Sequence, residues 1–163
     1  MPTLIKNNNA VKNDWQLVAD KDSQPASLPE GKVIVPLRVW QQHQSELAAR
    51  GDFGVWLDSD EPAEEIGDAA TSLKLIAINF PVFSDGRGYS YARILRSQFK
   101  YTGELRAIGD VLLDQLFYLK QVGFDSFALR DDQKAEQAVE KLKSFQFSYQ
   151  STVDRPTPIF QSR

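Results

Sequence analysis

The sequence predicts an α/β fold, a single domain in which helices cover a mostly parallel sheet of about five βα units. Short apolar runs alternate five times with helical patterns between residues 32 and 143, an order typical of parallel sheets. One run, Leu73–Phe80, is almost entirely apolar, as in strands buried on both faces. The length of 163 residues suits one domain.

Two arrangements of these units remain open. The first is an open three-layer sandwich, with helices on both faces of the sheet. The alternative is an incomplete (βα) barrel, because a closed barrel needs about eight units and about 250 residues. The chain divides into an N-terminal hairpin or arm with a linker (1–31), the α/β domain (32–150) and an extended C-terminal tail (151–163).

The first elements follow from local signals. A run of asparagines at 7–9 separates two short apolar patches, and asparagine favours turns with positive φ, which predicts a hairpin or a loose arm. A β-branched run at Val33–Val35 predicts a strand. The pattern from Arg38 to Arg50 predicts a helix, which Gly51 would end.

The other elements continue this alternation. Strands are predicted at Phe53–Leu57, Leu73–Phe80, Glu104–Ile108 and Ser126–Leu129. Helices are predicted from the acidic run Asp58–Pro62 onward and over Tyr89–Phe99, Asp110–Gly123 and Asp131–Lys143. Asp110 and Asp131 are the expected N-caps of the last two helices. Phe145, Phe147 and Tyr149 then alternate with polar residues, and this period of two predicts a strand.

Composition excludes several function classes. The chain has no cysteine and one histidine, which excludes disulfides, thiol nucleophiles and Cys-ligated clusters. The 19 basic and 22 acidic residues give a net charge of −3, which argues against nucleic-acid binding. No apolar run reaches the about 20 residues of a membrane span, and the N-terminus lacks the apolar core of a signal peptide. We therefore expect a cytoplasmic protein with neither a membrane partner nor a metal site.

The main candidate site is the loop after the third predicted strand, because ligands of parallel α/β folds bind beyond the carboxyl ends of strands. Two glycines flank an arginine there, directly before a helix. Glycine admits close backbone approach, and helix amides and a guanidinium suit an anion. The candidate anion- or cofactor-binding residues are Ser84, Asp85, Gly86, Arg87, Gly88 and Tyr89. The alternative is a structural loop with Arg87 in an internal ion pair.

Further candidates lie at other strand ends and on two helices. The candidate pocket residues are Arg38, Asp110, Asp114, Tyr118 and Arg130. Arg93, Arg96 and Lys100 recur at helical spacing and are candidate docking residues, although this spacing is also typical of a solvated helix face. His43 lies at core-facing spacing and is interpreted as structural. No catalytic residue is assigned.

Two long strings, FSDGRGYSYAR at 83–93 and GDVLLDQLFYL at 109–119, carry a resemblance to a family of bacterial proteins of unknown function. VIVPLRVW at 33–40 and the residues Val153–Pro156 extend it over nearly the whole chain. Members are often encoded beside the sirohaem subunit of sulfite reductase and are labelled oxidoreductases of sulfite reduction. The resemblance implies an accessory protein of assimilatory sulfite reduction that docks on the hemoprotein subunit and aids electron delivery.

Two other functions remain open. No cofactor is evident in the sequence, so an oxidoreductase would hold a non-covalent flavin or nucleotide, with Phe83, Tyr89 and Tyr91 as candidate stacking residues. A small-anion binding module would use the Ser84–Gly88 loop alone. The unusually apolar helix from Asp110 to Val122 is also compatible with a homo-oligomer.

Overall fold

The computed structural model describes residues 4–152, with the side chains of residues 4–144. The strands are β1 Leu4–Lys6, β2 Asn9–Val11, β3 Gln16–Leu17, β4 Val33–Pro36, β5 Phe53–Leu57, β6 Leu75–Phe80, β7 Glu104–Gly109 and β8 Ser126–Ala128. The α-helices are α1 Leu37–Gln42, α2 Gln44–Arg50, α3 Arg87–Ser97, α4 Leu116–Gln121 and α5 Ala135–Thr152. Short 3-10 turns occur at Pro25–Ser27, Ala63–Glu65, Gly67–Ser72 and Leu113–Gln115.

All eight strands form one sheet, in the order β2-β1-β8-β7-β6-β5-β4-β3. From β3 to β8 the neighbours are parallel and follow the chain order, whereas β1 and β2 are antiparallel. Right-handed crossovers between sequential neighbours all turn to the same side. Helix residues accordingly pack on one face of the sheet. The buried cluster of the other face contains no helix residue within the described part of the chain.

The sheet curls into a half-barrel with this second face inside. β2 and β3 lie at opposite edges and would be about 34 Å apart in a flat sheet. Only residues 12–15 connect them, and such a connection spans at most about 18 Å. The α/β class and the incomplete barrel are therefore confirmed, whereas the described helices do not cover both faces as in a three-layer sandwich.

Residues 12–15, which we call the strap, cross the concave face. Trp15 of the strap packs against a cluster of concave-face side chains, which are Leu4, Ile34, Trp56, Leu75, Ala77, Ile108 and Ala128. The Trp56 indole Nε1 donates a hydrogen bond of 2.8 Å to the Val18 carbonyl. The inside of the half-barrel is thus a second small core.

A buried polar network lies beside this core. Arg106 is 2% exposed, and its guanidinium donates to Glu104 Oε2 at 2.8 Å, Ser126 Oγ at 3.3 Å and Asn13 Oδ1 at 3.2 Å. Lys6 forms a second ion pair with Glu104 at 2.9 Å. Burial raises the pKa of Glu104, but the hydrogen bonds from Arg106, Lys6 and Ser126 outweigh it, so this pKa lies below its usual value. The network neutralises a buried cation and ties the strap to β1, β7 and β8.

The N-terminal hairpin is confirmed. Asn7 and Asn8 have φ of 52° and 66°, and they form the two-residue turn between β1 and β2, where two consecutive positive φ angles match the twist of the strands. The hairpin is not a loose arm, because β1 pairs with β8. Residues 4–11 therefore belong to the same sheet as the later strands.

Two helix predictions are wrong in detail. The helix predicted over residues 38–50 is divided at His43, whose φ of −132° and ψ of 37° are not helical. The helix predicted from the acidic run onward is replaced by 3-10 turns, which begin at Ala63. Pro62 directly precedes the first 3-10 turn, and Ile66 alone separates the first turn from the second.

The predictions for the C-terminal third also need correction. Asp110 does not cap α4, because a 3-10 turn comes first and Gln115 Oε1 accepts the Leu112 N–H at 3.2 Å. Asp131 is not the cap of α5, which begins at Ala135. The strand predicted around Phe145 and Tyr149 lies inside α5, because residues four apart share a face in a helix as well. Ser151 and Thr152, predicted as the start of the extended tail, belong to α5, and the rest of the predicted tail (153–163) lies outside the described residues.

The contribution of the strap to stability can be tested at Trp15. Trp15→Ala should lower the free energy of unfolding by about 2 kcal/mol, less than the loss of a fully buried aromatic side chain, because Trp15 is partly exposed. Urea denaturation measures this change. Lys12→Ala, an exposed position of the same strap, should stay within about 0.5 kcal/mol of the wild type. Equal midpoints for Trp15→Ala and wild type would contradict the packing of the strap.

Candidate functional site

The carboxyl ends of the parallel strands form one rim of the half-barrel. Residues 81–86, which we call the rim loop, connect β6 to α3 on this rim. Val82 and Phe83 are 53% and 51% exposed. The backbone beneath them is held in place, because Asp110 Oδ2 accepts the Phe83 N–H at 2.7 Å and Gln115 Nε2 donates to the Phe83 carbonyl. The rim loop therefore presents apolar side chains on an anchored backbone.

Arg87 forms a two-pronged ion pair with Asp85. Its Nε and Nη2 atoms donate to the two carboxylate oxygens at 3.1 and 2.7 Å, and its backbone N–H donates to Oδ1 at 3.0 Å. The guanidinium lowers the pKa of Asp85 to about 2. This is the geometry of the structural-loop alternative, since the guanidinium fork already holds a carboxylate. Binding of an external anion at this loop stays a prediction.

The contacts of the remaining candidate residues in and after this loop are with the protein itself or with solvent. A Cβ on Gly88 would lie 2.7 Å from the Phe80 ring, so this glycine allows α3 to pack closely on β6. Gly86 has a φ of −85° and open space around it. Tyr89 packs edge-on against Phe80 with 5.4 Å between ring centroids. Ser84 is exposed. The two glycines therefore do not themselves indicate a ligand.

Two of the candidate pocket residues meet on the rim. Arg130 Nη1 donates to Asp110 Oδ1 at 2.7 Å, and its Nε and Nη2 atoms donate to Asp132 at 2.7 and 2.8 Å. The Arg130 guanidinium lowers the pKa of Asp132 to about 2. Asp110 thus links Arg130 to the rim loop.

The other candidate pocket residues lie elsewhere. Arg38 pairs with Asp22 at 2.8 Å. Asp114 is exposed and lies 3.7 Å from Lys141. Tyr118 projects into solvent from α4 and is 61% exposed. The structure therefore does not bring the five predicted pocket residues into one pocket.

The three candidate docking residues also differ from one another. Arg96 bonds backbone carbonyls: Gly123 at 2.9 and 2.7 Å, Tyr101 at 3.0 Å and Gly103 at 2.8 Å. Its guanidinium is thus occupied in holding the loops after α3 and α4. Arg93 and Lys100 are exposed. Of the three, these two stay available for docking.

A further polar cluster on the rim is formed by Asp58, directly after β5, with Lys21 and Asn79. Asp58 Oδ2 pairs with Lys21 Nζ at 2.8 Å, and Asp58 Oδ1 accepts the Asn79 amide at 3.0 Å. Burial raises the pKa of Asp58, but the hydrogen bonds from Lys21, Asn79 and the Ser59 N–H have the larger effect. The pKa of Asp58 therefore lies below its usual value. The position of Asp58 directly after a strand indicates from the sequence that it lies on the rim. Nothing in the sequence around Lys21 indicates that this residue pairs with Asp58.

An open groove of about 700 Å³ lies between α3 and α4. It is lined by Tyr89, Arg93, Tyr118, Gln121 and Val122. Gln115 connects the groove to the rim loop, because its amide reaches the Tyr89 hydroxyl at 3.4 Å as well as the Phe83 carbonyl. Within residues 4–152 there is no group of three or more metal-ligating side chains placed to hold a metal ion, and no helix there is long and apolar enough to cross a bilayer.

The fold and the rim define a single-domain α/β half-barrel with an exposed apolar loop beside a groove. The chain belongs to the family described as bacterial protein of unknown function (DUF934), whose model matches residues 54–160. A search of curated proteins finds no match. The resemblance to a bacterial family of unknown function is therefore confirmed, whereas the connection to sulfite reductase and the flavin or nucleotide alternative stay predictions.

The Asp85–Arg87 pair offers a direct test of the loop. The Asp85 carboxyl should titrate near pH 2, and Arg87→Ala should raise this pKa toward the ordinary value of about 4. Because the folded-state pKa is depressed, the pair stabilises the fold above about pH 4 and this contribution disappears as the pH falls toward 2. Carboxyl ¹³C NMR measures the titration.

Arg38→Ala is the matched control for this titration, because Arg38 pairs with Asp22 instead and its removal should leave Asp85 unchanged. An ordinary Asp85 pKa that does not respond to Arg87→Ala would show that the guanidinium is free. In that case the Arg87 guanidinium would be available to bind an external anion, as the sequence predicts.

Proposed function

We propose that this protein is an accessory protein of assimilatory sulfite reduction that docks on the hemoprotein subunit through its rim. The observation that carries the docking role is the exposed pair Val82 and Phe83 on an anchored loop. Large exposed apolar side chains are the usual anchors of protein interfaces. An anchored backbone lowers the ordering cost of binding.

The charges of the rim support binding rather than acid–base catalysis. Asp85 and Asp132 are each held by a guanidinium, with pKa values of about 2, and Asp58 is paired with Lys21. A general acid or base works best with a pKa near the operating pH. These carboxylates are therefore unsuited to proton transfer at neutral pH, and their pairing reduces the net charge beside the apolar loop.

Sulfite reductase is proposed as the partner because the strings at 83–93 and 109–119 resemble a family whose members are often encoded beside its sirohaem subunit. Both strings overlap the proposed docking region, because the first contains part of the rim loop and the start of α3, and the second contains Asp110, Gln115 and the first four residues of α4. An accessory protein that aids electron delivery needs a complementary surface on the reductase.

Co-purification tests this proposal. Tagged protein isolated from cells growing on sulfate should retain the sulfite reductase hemoprotein, detected by its haem absorption. Phe83→Asp should reduce the retained hemoprotein at least tenfold, because it places a charge at the centre of an apolar contact.

Leu17→Asp is the matched control, since Leu17 is also half exposed but lies on β3, at the far edge of the sheet. It should retain the hemoprotein as wild type does, and thermal unfolding should verify that both variants fold. Absence of the hemoprotein from the wild-type sample, or equal retention by Phe83→Asp, would refute the proposal.

A further inference from the structure

We propose that the groove between α3 and α4 binds a segment of a partner protein in which a carboxylate side chain is adjacent to an aromatic or large aliphatic one. This inference deepens the proposed docking function and rests on it, because it specifies the chemistry of the partner segment. The occupant follows from the charge, the lining and the stiffness of the groove.

The charge of the groove calls for an acidic group. Arg93 is the charged residue among the five that line it, and its guanidinium has no hydrogen-bond or ion-pair partner within the described residues. Its neighbours differ in this respect, because Arg87 is paired with Asp85 and Arg96 with backbone carbonyls. A guanidinium fork binds a carboxylate through two parallel hydrogen bonds. A carboxylate of the partner is the natural complement of Arg93.

The lining calls for an apolar side chain beside that carboxylate. Tyr89 and Tyr118 contribute aromatic rings to the groove, and Val122 adds an aliphatic surface. Tyrosine and arginine are the residue types enriched at the centres of protein interfaces. The groove is open to solvent, whereas small-molecule sites usually enclose most of their ligand. A peptide segment therefore fits it better than an enclosed small ligand.

The groove is also preformed. Arg96 joins the end of α3 to the loop after α4 through the Gly123 carbonyl. At the other end, Gly88 allows α3 to lie against Phe80, and Gln115 links Tyr89 to the rim loop. Stiff walls reduce the ordering cost of binding. The groove continues into the proposed docking surface, so that one partner can contact both.

Selection from a displayed library of random heptapeptides on the full-length protein tests this inference. Wild type should enrich peptides with Asp or Glu next to Phe, Trp or Leu. Arg93→Glu should lower the affinity of a selected peptide at least tenfold and should shift a new selection toward Lys and Arg. Affinities are measured by titration of the ¹⁵N-labelled protein.

Lys12→Glu is the control, since Lys12 is an exposed cation of the strap that does not line the groove, and it should leave the affinity within twofold. No enrichment, or enrichment without acidic residues, would overturn the inference. So would an affinity that is equal in wild type and Arg93→Glu.

The two proposals fail separately. Peptide binding that depends on Arg93, without any co-purified hemoprotein, would refute the sulfite reductase proposal and leave the groove inference intact. Hemoprotein retained equally by wild type and Arg93→Glu, without selected acidic peptides, would refute the groove inference alone.

Discussion

The short connection between β2 and β3 is the constraint on which the rest of the structure depends. These strands are the two edges of an eight-stranded sheet, and residues 12–15 can join them only if the sheet curls. Curling creates a concave face, which Trp15 of the strap and the buried Arg106 network fill. The chain order of the parallel strands sends the helices to the convex face. The rim and the helix groove are the surfaces that this arrangement leaves for partners.

Charge pairing then determines the character of these surfaces. On the rim, Asp85, Asp110 and Asp132 accept hydrogen bonds from guanidinium groups of the same chain. Their charges are largely neutralised, while the aromatic ring of Phe83 stays exposed. The groove is different, because Arg93 has no such partner within the described residues. The exposed apolar loop and this arginine together are complementary to a segment that carries an apolar and an acidic side chain.

Local sequence patterns predicted much of the fold. The strand β5 has the predicted bounds, and the Asn7–Asn8 turn and the rim loop were found because turn chemistry and apolar runs are local signals. The curl was not predictable from periodicity, because it depends on strand order and on the length of one connection. The predicted strand near Phe145 was wrong because spacings of two and four residues overlap in a short aromatic run.

The candidate site was predictable only in part. Its loop follows from the position after a strand, but the partners of its side chains lie far away in sequence. Arg96 bonds Gly123 and Lys21 bonds Asp58 across 27 and 37 positions, and nothing in the local sequence indicates such pairs. The cluster of arginines in the sequence therefore did not reveal that Arg96 bonds backbone carbonyls, whereas the Arg93 guanidinium has no partner among the described residues.

Nuclear Overhauser effects from the Trp15 indole test the closure of the half-barrel most directly. We expect cross-peaks from its ring protons to methyl groups of the concave-face cluster, such as those of Ala77 and Ile108. Their absence, together with a solvent-exposed indole, would mean that the strap does not cross the concave face. The concave face would then be open to solvent. The candidate binding site would be this face of the sheet rather than the rim and the groove.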